Sequence, residues 1–267
     1  MSGFKLELTL RAALGLADRE LAAFTGGGGK TAALRRLGLE LAEAGRTVVA
    51  ATTTKVYREQ FAGLGEVVVS GDYRACLAGL RRALASGRVA AAGREIAWDG
   101  KLVGLPAEWV DEFWRTKIAD YLLVEADGSR GRSLKAPAEH EPVVPGAATL
   151  VVPVVGLDVL GRPLTAEFVH RPEIVARIAK AVPGSPVTPA VAGKVIVHPA
   201  GLSKGVPPGA RVVPLINKVD GPAEQPAARQ LAEVLLSAGI ERVVLASCGG
   251  RQFFCAVVTS GERKKRR

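Results

Sequence analysis

The chain has 267 residues, 48 % of them apolar and 23 % charged, and its 36 basic against 26 acidic side chains give a formal net charge of +10. This excludes disorder, a collagen-like repeat or a coiled coil as the main state, and the length suits one large domain. With only 5 % aromatic residues, the core falls to Val, Leu, Ala and Ile, as in a buried parallel sheet flanked by helices.

In chain order, the first apolar residues lead into a helical stretch around Leu10–Leu16. Leu21–Thr25 reads as a strand and Gly26–Gly29 as a glycine loop. Thr31–Ala44 carries Leu34, Leu37 and Leu41 on one face, which predicts a helix. Thr47–Ala51 is the next strand, closing a βαβ unit with parallel strands. Glu66–Ser70 reads as a strand and Tyr73–Ala85 as a helix. Val89–Trp98, the turn Asp99-Gly100 and Lys101–Gly104 read as a hairpin, followed by a helix from Pro106 to Trp114. Together they suggest a small insertion over 87–117 in a single domain spanning 1–260. Tyr121–Glu125 and Thr149–Val155 are apolar strands, and Arg171–Ala181 is a helix. The Pro- and Gly-rich stretch 183–209 holds a short strand candidate, Lys194–Val197. Val212–Ile216, Arg242–Ala246 and Phe253–Val258 are strands, with a helix over Pro226–Ala238. The expected product is an α/β three-layer sandwich with a mostly parallel sheet.

Cys76, Cys248 and Cys255 lack the spacing of a disulfide framework or a zinc site. A reducing cytoplasm is the expected setting, with no signal peptide and no membrane span. Residues 261–267 hold Arg263, Lys264, Lys265, Arg266 and Arg267 and read as a solvated basic tail. The positive charge permits anionic partners, but few aromatics and no recognised reading module argue against nucleic acid.

The chemistry concentrates at Gly26, Gly27, Gly28, Gly29, Lys30 and Thr31. A glycine loop between strand and helix turns backbone N–H groups around an anion, and the helix N-terminus adds unsatisfied donors. Lys30 is placed to reach the outer phosphates and the Thr31 hydroxyl to ligate Mg2+. Phe24 stands where the usual phosphate-loop pattern has glycine. The remainder resembles the variant loop of the signal recognition particle, MinD and nitrogenase-iron-protein class of NTPases, although Thr25 replaces the second lysine that many of these carry. Glu125 and Asp127 follow an apolar strand, where a carboxylate can hold metal or orient water. We expect Asp127 at the metal and Glu125 at the water, with the exchange open. Lys30, Glu125 and Asp127 are the expected catalytic set.

Asn217-Lys218-Val219-Asp220 resembles the base-reading motif of GTPases. By that resemblance Asp220 accepts from guanine, Asn217 ties its loop to the phosphate loop, and the Lys218 stem covers the base. Ser247 sits in the candidate base-side loop. GTP is therefore favoured over ATP, with ATP open. Thr53 and Lys55, after the second strand, are candidates for phosphate or substrate, or cap the next helix. Arg130, Arg132 and Lys135 are candidates for an anionic group, and Glu139, His140 and Glu141 for proton transfer or metal, in a loop that is otherwise merely exposed and charged. His170 and His198 stand alone and read as local hydrogen-bonding groups.

Taken together, Gly26–Thr31, Thr52–Lys55, Glu125–Arg132, Lys135–Pro142, Gly156–Leu164, His170–Glu173 and Asn217–Asp220 resemble the YqeC family, accessory proteins for selenium-dependent molybdenum hydroxylases. The resemblance implies a role in preparing such an enzyme or its cofactor, with the hydroxylase or its cofactor-assembly proteins as partners. The leading expectation is a magnesium-dependent NTP-binding accessory protein that hydrolyses its nucleotide. A small-molecule kinase or nucleotidyl transferase, and a non-enzymatic nucleotide-switched chaperone, are the alternatives.

Overall fold

The computed structural model describes residues 3–61, 63–221, 223–250 and 252–260; the basic segment 261–267 lies outside them. Its centre is an 11-stranded sheet. We label ten of its strands β1 (Gly3–Leu6), β2 (Glu20–Gly26), β3 (Val48–Thr52), β4 (Glu66–Val69), β5 (Val89–Gly93), β6 (Tyr121–Glu125), β7 (Leu150–Gly156), β8 (Leu215–Asn217), β9 (Arg242–Ala246) and β10 (Cys255–Thr259). The remaining strand, Arg211–Val212, pairs with β7. In space the order is β1-β10-β9-β8-β7-β2-β6-β3-β5-β4. The sheet is mixed. From β9 to β4 every pairing is parallel, but β10 runs antiparallel to both β9 and β1.

Helices cover both faces. On one lie α1 (Leu10–Leu14) and α2 (Lys30–Glu43), whose Leu34, Leu37 and Leu41 pack on Ala22, Phe24, Ala50 and Leu123 of the strands. On the other lie α3 (Tyr73–Ser86) and α4 (Ala107–Arg115), packed through Leu80, Val110 and Phe113. The same face carries α5 (Pro172–Ala179), α6 (Pro189–Val197) and α7 (Gln225–Ser237). Strands such as β2, β3, β6 and β7 are buried along their whole length, so they read as continuous apolar runs rather than alternating ones.

Three segments depart from the sequence expectations. Lys194–Val197, expected as a strand, is the last part of α6. Thr188 accepts from the Val191 N–H at 3.2 Å, Pro189 opens the first turn, and Ala192, Val195 and Ile196 bury one helical face. Cap and spacing outweigh the local β-branched preference. Val89–Trp98 is not one arm of a hairpin. Its first half is β5 in the main sheet, while Glu95–Ile96 joins Lys101–Val103 and Val56–Tyr57 in a separate three-stranded sheet. Leu102 lies against Gly93, where an added Cβ would sit 2.3 Å from the leucine Cδ1, and the chain leaves the main sheet there. Val212–Ile216 is divided at Pro214, which has no N–H to offer the ladder.

The parallel pairing places strand carboxyl ends together. Gly26 lies opposite Val154, Phe24 and Thr52 opposite Glu125, and Gly156 opposite Asn217. One edge of the sheet therefore gathers residues separated by up to two hundred positions in sequence. Among the described residues no helix is long and apolar enough to cross a membrane.

Candidate functional site

The loop after β2 is fixed by close contacts, three with backbone and one with the Asn217 side chain, that only glycine admits. A Cβ on Gly26 would approach the Val154 carbonyl oxygen to 2.3 Å, and on Gly27 the Arg132 carbonyl oxygen to 2.3 Å. On Gly28 it would meet the Gly156 nitrogen at 2.0 Å, and on Gly29 the Asn217 Nδ2 at 2.3 Å. Gly28 and Gly29 also have φ of +76° and +114°, left-handed values that cost other residues strain.

The amides do not all turn inward as expected. The Gly26 N–H donates to both Asp127 oxygens at 3.0 Å, Gly27 N–H to Val154 O at 2.9 Å and Gly28 N–H to Arg132 O at 3.0 Å. The free donors begin one residue later: the N–H groups of Gly29, Lys30, Thr31 and Ala32 have no acceptor among the described residues. They crown the 14-residue helix α2, whose dipole favours an anion there.

Lys30 is buried at this mouth. Its ammonium donates to the Gly26 carbonyl at 2.6 Å and lies 3.2 Å from Asp127 and 3.6 Å from Glu125. Burial works to lower its pKa, but Asp127 and Glu125 together outweigh burial and hold it above its ordinary value. The Thr31 hydroxyl donates to Glu125 Oε2 at 2.8 Å. Asp127, expected at the metal, is fully buried and enclosed by the Gly26 N–H, Lys30 and Lys135. A cation could reach it only by displacing a lysine.

Lys135, expected to meet an external anion, has no exposed surface. It lies 3.2 Å from Asp127 and 2.7 Å from Glu141, and donates to the Gly128 carbonyl at 2.7 Å. Glu141 in turn pairs with Arg171 at 2.5 Å. Burial alone would raise the Glu141 pKa; Lys135 and Arg171 reverse that and bring it down to about 2. His170, beside this group, is lowered to about 4 by burial and by the charges of Arg171, Lys135 and Arg130. Lys135 and Glu141 thus belong to an internal ion network, not to a substrate surface. Arg171 was not singled out from sequence, since its partner lies 30 positions away.

The remaining candidates are spread around this edge. Thr53 gives its hydroxyl to Val143 O at 2.7 Å and is not free for a phosphate, and Lys55 is exposed. Arg130, Glu139 and His140 are exposed, and Arg132 is held by the Ala166 carbonyl at 3.1 Å. Asn217 Nδ2 donates to Gly28 O at 2.8 Å, while its Oδ1 accepts from the Cys248 N–H at 2.9 Å. Lys218, with φ of +63°, reaches Ser133 and Asp158, each at 2.8 Å. Asp220 is exposed and accepts a short hydrogen bond from the buried Ser247 hydroxyl. Ser133 and Asp158 were missed in the sequence; neither sits in a motif with its partner.

Among the described residues no three His, Cys, Asp or Glu side chains are grouped to hold a metal. Mg2+ bound together with phosphates needs only one or two protein oxygens, and the adjacent Thr31 and Glu125 oxygens meet that requirement.

Fold and site together define an α/β protein organised around a glycine loop at a strand–helix junction. Residues 22–173, more than half of the chain, match the YqeC protein family, and the chain belongs to that family. The protein YqeC of Escherichia coli (strain K12), described as uncharacterized, is 35 % identical over 146 residues. That alignment covers 55 % of this chain and 57 % of the relative, so the chain spans just over half of that protein's length. Among solved structures, the 54 kDa protein of the signal recognition particle from Aeropyrum pernix K1, in complex with GDP, aligns with 86 % of this chain and 42 % of its own. The TM-score is 0.38 and the identity 15 %. The Asn217–Asp220 stretch lies beyond the family match.

Proposed function

We propose that this chain is a P-loop NTPase-like protein that binds and hydrolyses a nucleoside triphosphate with Mg2+, as an accessory factor in maturation of a selenium-dependent molybdenum hydroxylase or its cofactor. The observation that carries the nucleotide reading is the Thr31 hydroxyl 2.8 Å from Glu125, beside buried Lys30 and below four unpaired helix amides. The maturation role rests on the family resemblance alone.

The amides of Gly29 to Ala32 seat the phosphates, and Lys30 leaves Asp127 for the terminal phosphoryl group, where its charge stabilises the transferring oxygens. Gly28 adds its donor only after the Arg132 carbonyl withdraws, and Gly27 only after the Val154 carbonyl does. Glu125 with Thr31, rather than Asp127, would hold the metal, while Asp127 steadies Lys30 and the Gly26 amide. Mg2+ held by Thr31 and Glu125 would neutralise negative charge on the phosphates. Water attacks the terminal phosphorus and the bond to the bridging oxygen breaks, giving nucleoside diphosphate and inorganic phosphate, with the proton of the water released to solvent. Asn217 supports the loop, and Asp220 is the guanine acceptor.

The test is a titration of GTP, ATP and their non-hydrolysable analogues, with and without Mg2+. Saturable, Mg2+-dependent binding is expected, lost in Lys30→Ala and weakened in Thr31→Ala. Thr31 is half-buried, so the second variant guards against a folding defect in the first. A folded wild-type protein without affinity for any nucleotide overturns the reading, as does wild-type turnover in Lys30→Ala. Co-purification of the hydroxylase or its assembly proteins tests the maturation role separately.

A further inference from the structure

A concave site opens beside α5, lined in part by Glu139, and it includes neither Lys30 nor Thr31. It is a cleft of about 540 Å³ between Pro137–Glu139, α5 and the loop His198–Lys204. We propose that this cleft binds a small organic anion, a carboxylate or phosphate ester carried on an apolar body. The site does not depend on the nucleotide reading.

The volume falls in the range of small-molecule sites, which pair an apolar lining with a few oriented polar groups. Here Ile174, Ile178 and Pro137 supply apolar surface. Ile174, Arg177 and Ile178 stand three and four positions apart on α5, so they share one face of the helix.

The polar groups are nearly all donors. Arg177 is exposed, and its guanidinium has no hydrogen-bond or ion-pair partner among the described residues. Lys204 gives two of its three N–H bonds to the carbonyls of Ala138, at 3.0 Å, and Glu139; one is left. His198 Nδ1 accepts from the Ala200 N–H at 3.0 Å. Its neutral ring therefore carries hydrogen on Nε2, a further donor. Against these stands a single carboxylate, the exposed Glu139. A guanidinium fork, an ammonium and an imidazole N–H around an apolar floor are complementary to an anionic head on an apolar body.

Both walls of the cleft are tied to the glycine loop. The Thr25 hydroxyl donates to the Leu202 carbonyl at 2.9 Å, inside the His198–Lys204 loop. On the other side, Pro137–Glu139 lies between Lys135 and Glu141, which lead to Asp127 and Lys30. A ligand that spreads or draws together these walls acts on the network that holds Lys30.

The test uses the full chain without nucleotide. Two fluorescent probes are titrated: 1-anilinonaphthalene-8-sulfonate, an aromatic sulfonate, and N-phenyl-1-naphthylamine, its uncharged counterpart. One saturable site for the sulfonate is expected, with the uncharged probe bound about tenfold or more weakly, the scale of one charge-assisted hydrogen bond. Arg177→Glu raises the sulfonate Kd by about tenfold or more, and Arg177→Lys recovers most of it. Ala200→Trp, which fills the cleft from the loop side, abolishes binding. Phenyl phosphate and benzoate both displace the sulfonate, and their order identifies the preferred head group. The proposal is overturned by absence of saturation, by equal affinity for the uncharged probe, or by unchanged binding in either Arg177→Glu or Ala200→Trp. Because no nucleotide is added, a protein that fails to bind GTP can still pass, and one that binds GTP can still fail.

Discussion

Two sets of charged residues leave the same edge of the sheet, and they are built on opposite plans. Behind the glycine loop, Glu125, Lys30, Asp127, Lys135, Glu141 and Arg171 form a continuous chain of alternating sign, mostly removed from water. Beyond β8, Lys218 and Asp220 stand in or near solvent, and Asp220 has only the Ser247 hydroxyl as a partner among the described residues. In the first set each charge exists to satisfy the next, because an ion in a poorly solvated interior is costly unless paired. In the second, a carboxylate oxygen remains available to something outside the chain. The same residue types are thus enclosed in one place and left open to solvent in the other.

The largest test of this contrast is Lys135→Met. It leaves Asp127 and Glu141 without their shared cation and should cost about 3–5 kcal/mol of folding stability, the scale for breaking a buried pair from one side. Denaturant unfolding measures it. A loss within about 0.5 kcal/mol, as for an ordinary surface site, would show that the network carries no such burden.

Asp220→Ala should do the reverse. Stability should fall by only about 1 kcal/mol, the lower end of the cost of leaving the buried Ser247 hydroxyl without its acceptor, while preference for GTP over ATP falls by about 1–3 kcal/mol, the worth of a paired base contact. Competitive titration of the two nucleotides reads this directly. An unchanged ratio removes Asp220 from base recognition.

The smallest expected effect is a dependence on acid. His170 has its folded pKa depressed to about 4 from 6.5, so its contribution is complete above pH 6.5 and declines as the pH falls towards 4. Glu141 is depressed to about 2 from 4.5, so its contribution is complete above pH 4.5 and is lost as the pH falls through 2. Both groups are half-buried, and solvent screening tempers the size of each step. Unfolding measured at pH 7, 5 and 3 should show two successive declines, the upper absent in His170→Asn and the lower absent in Glu141→Gln. A flat profile in the wild-type chain would refute the assignment.

Much of the edge was legible in the sequence because parallel strands deliver their carboxyl ends to one side. Tyr121–Glu125 stands as read, and the glycine loop, the acidic strand end and Asn217 meet where their order in the chain suggested. What escaped depends on how segments fold back against one another. Nothing near Lys135 announces that Asp127 and Glu141 will enclose it, and a charged loop is the natural reading of 129–141. The amides of Gly27 and Gly28 were read as phosphate donors because a glycine run does not reveal that Val154 and Arg132 carbonyls stand opposite. Lys194–Val197 looked extended because its apolar residues are contiguous; only the Thr188 cap and the neighbouring helices decide otherwise. The antiparallel turn-back of β10 is likewise a matter of partner, not of local pattern.

Backbone meets backbone where Gly28 touches Gly156, and the two segments move as one piece if they move at all. Directly after Gly156 come Leu157–Val159 and the Asp158 carboxylate that secures Lys218. A displacement of Gly28 against Gly156 would therefore reach a lysine beyond β8 through a short run of backbone and the one carboxylate of Asp158. The seam makes the two halves of the edge mechanically one lever, with its fulcrum at a pair of residues that have no side chain.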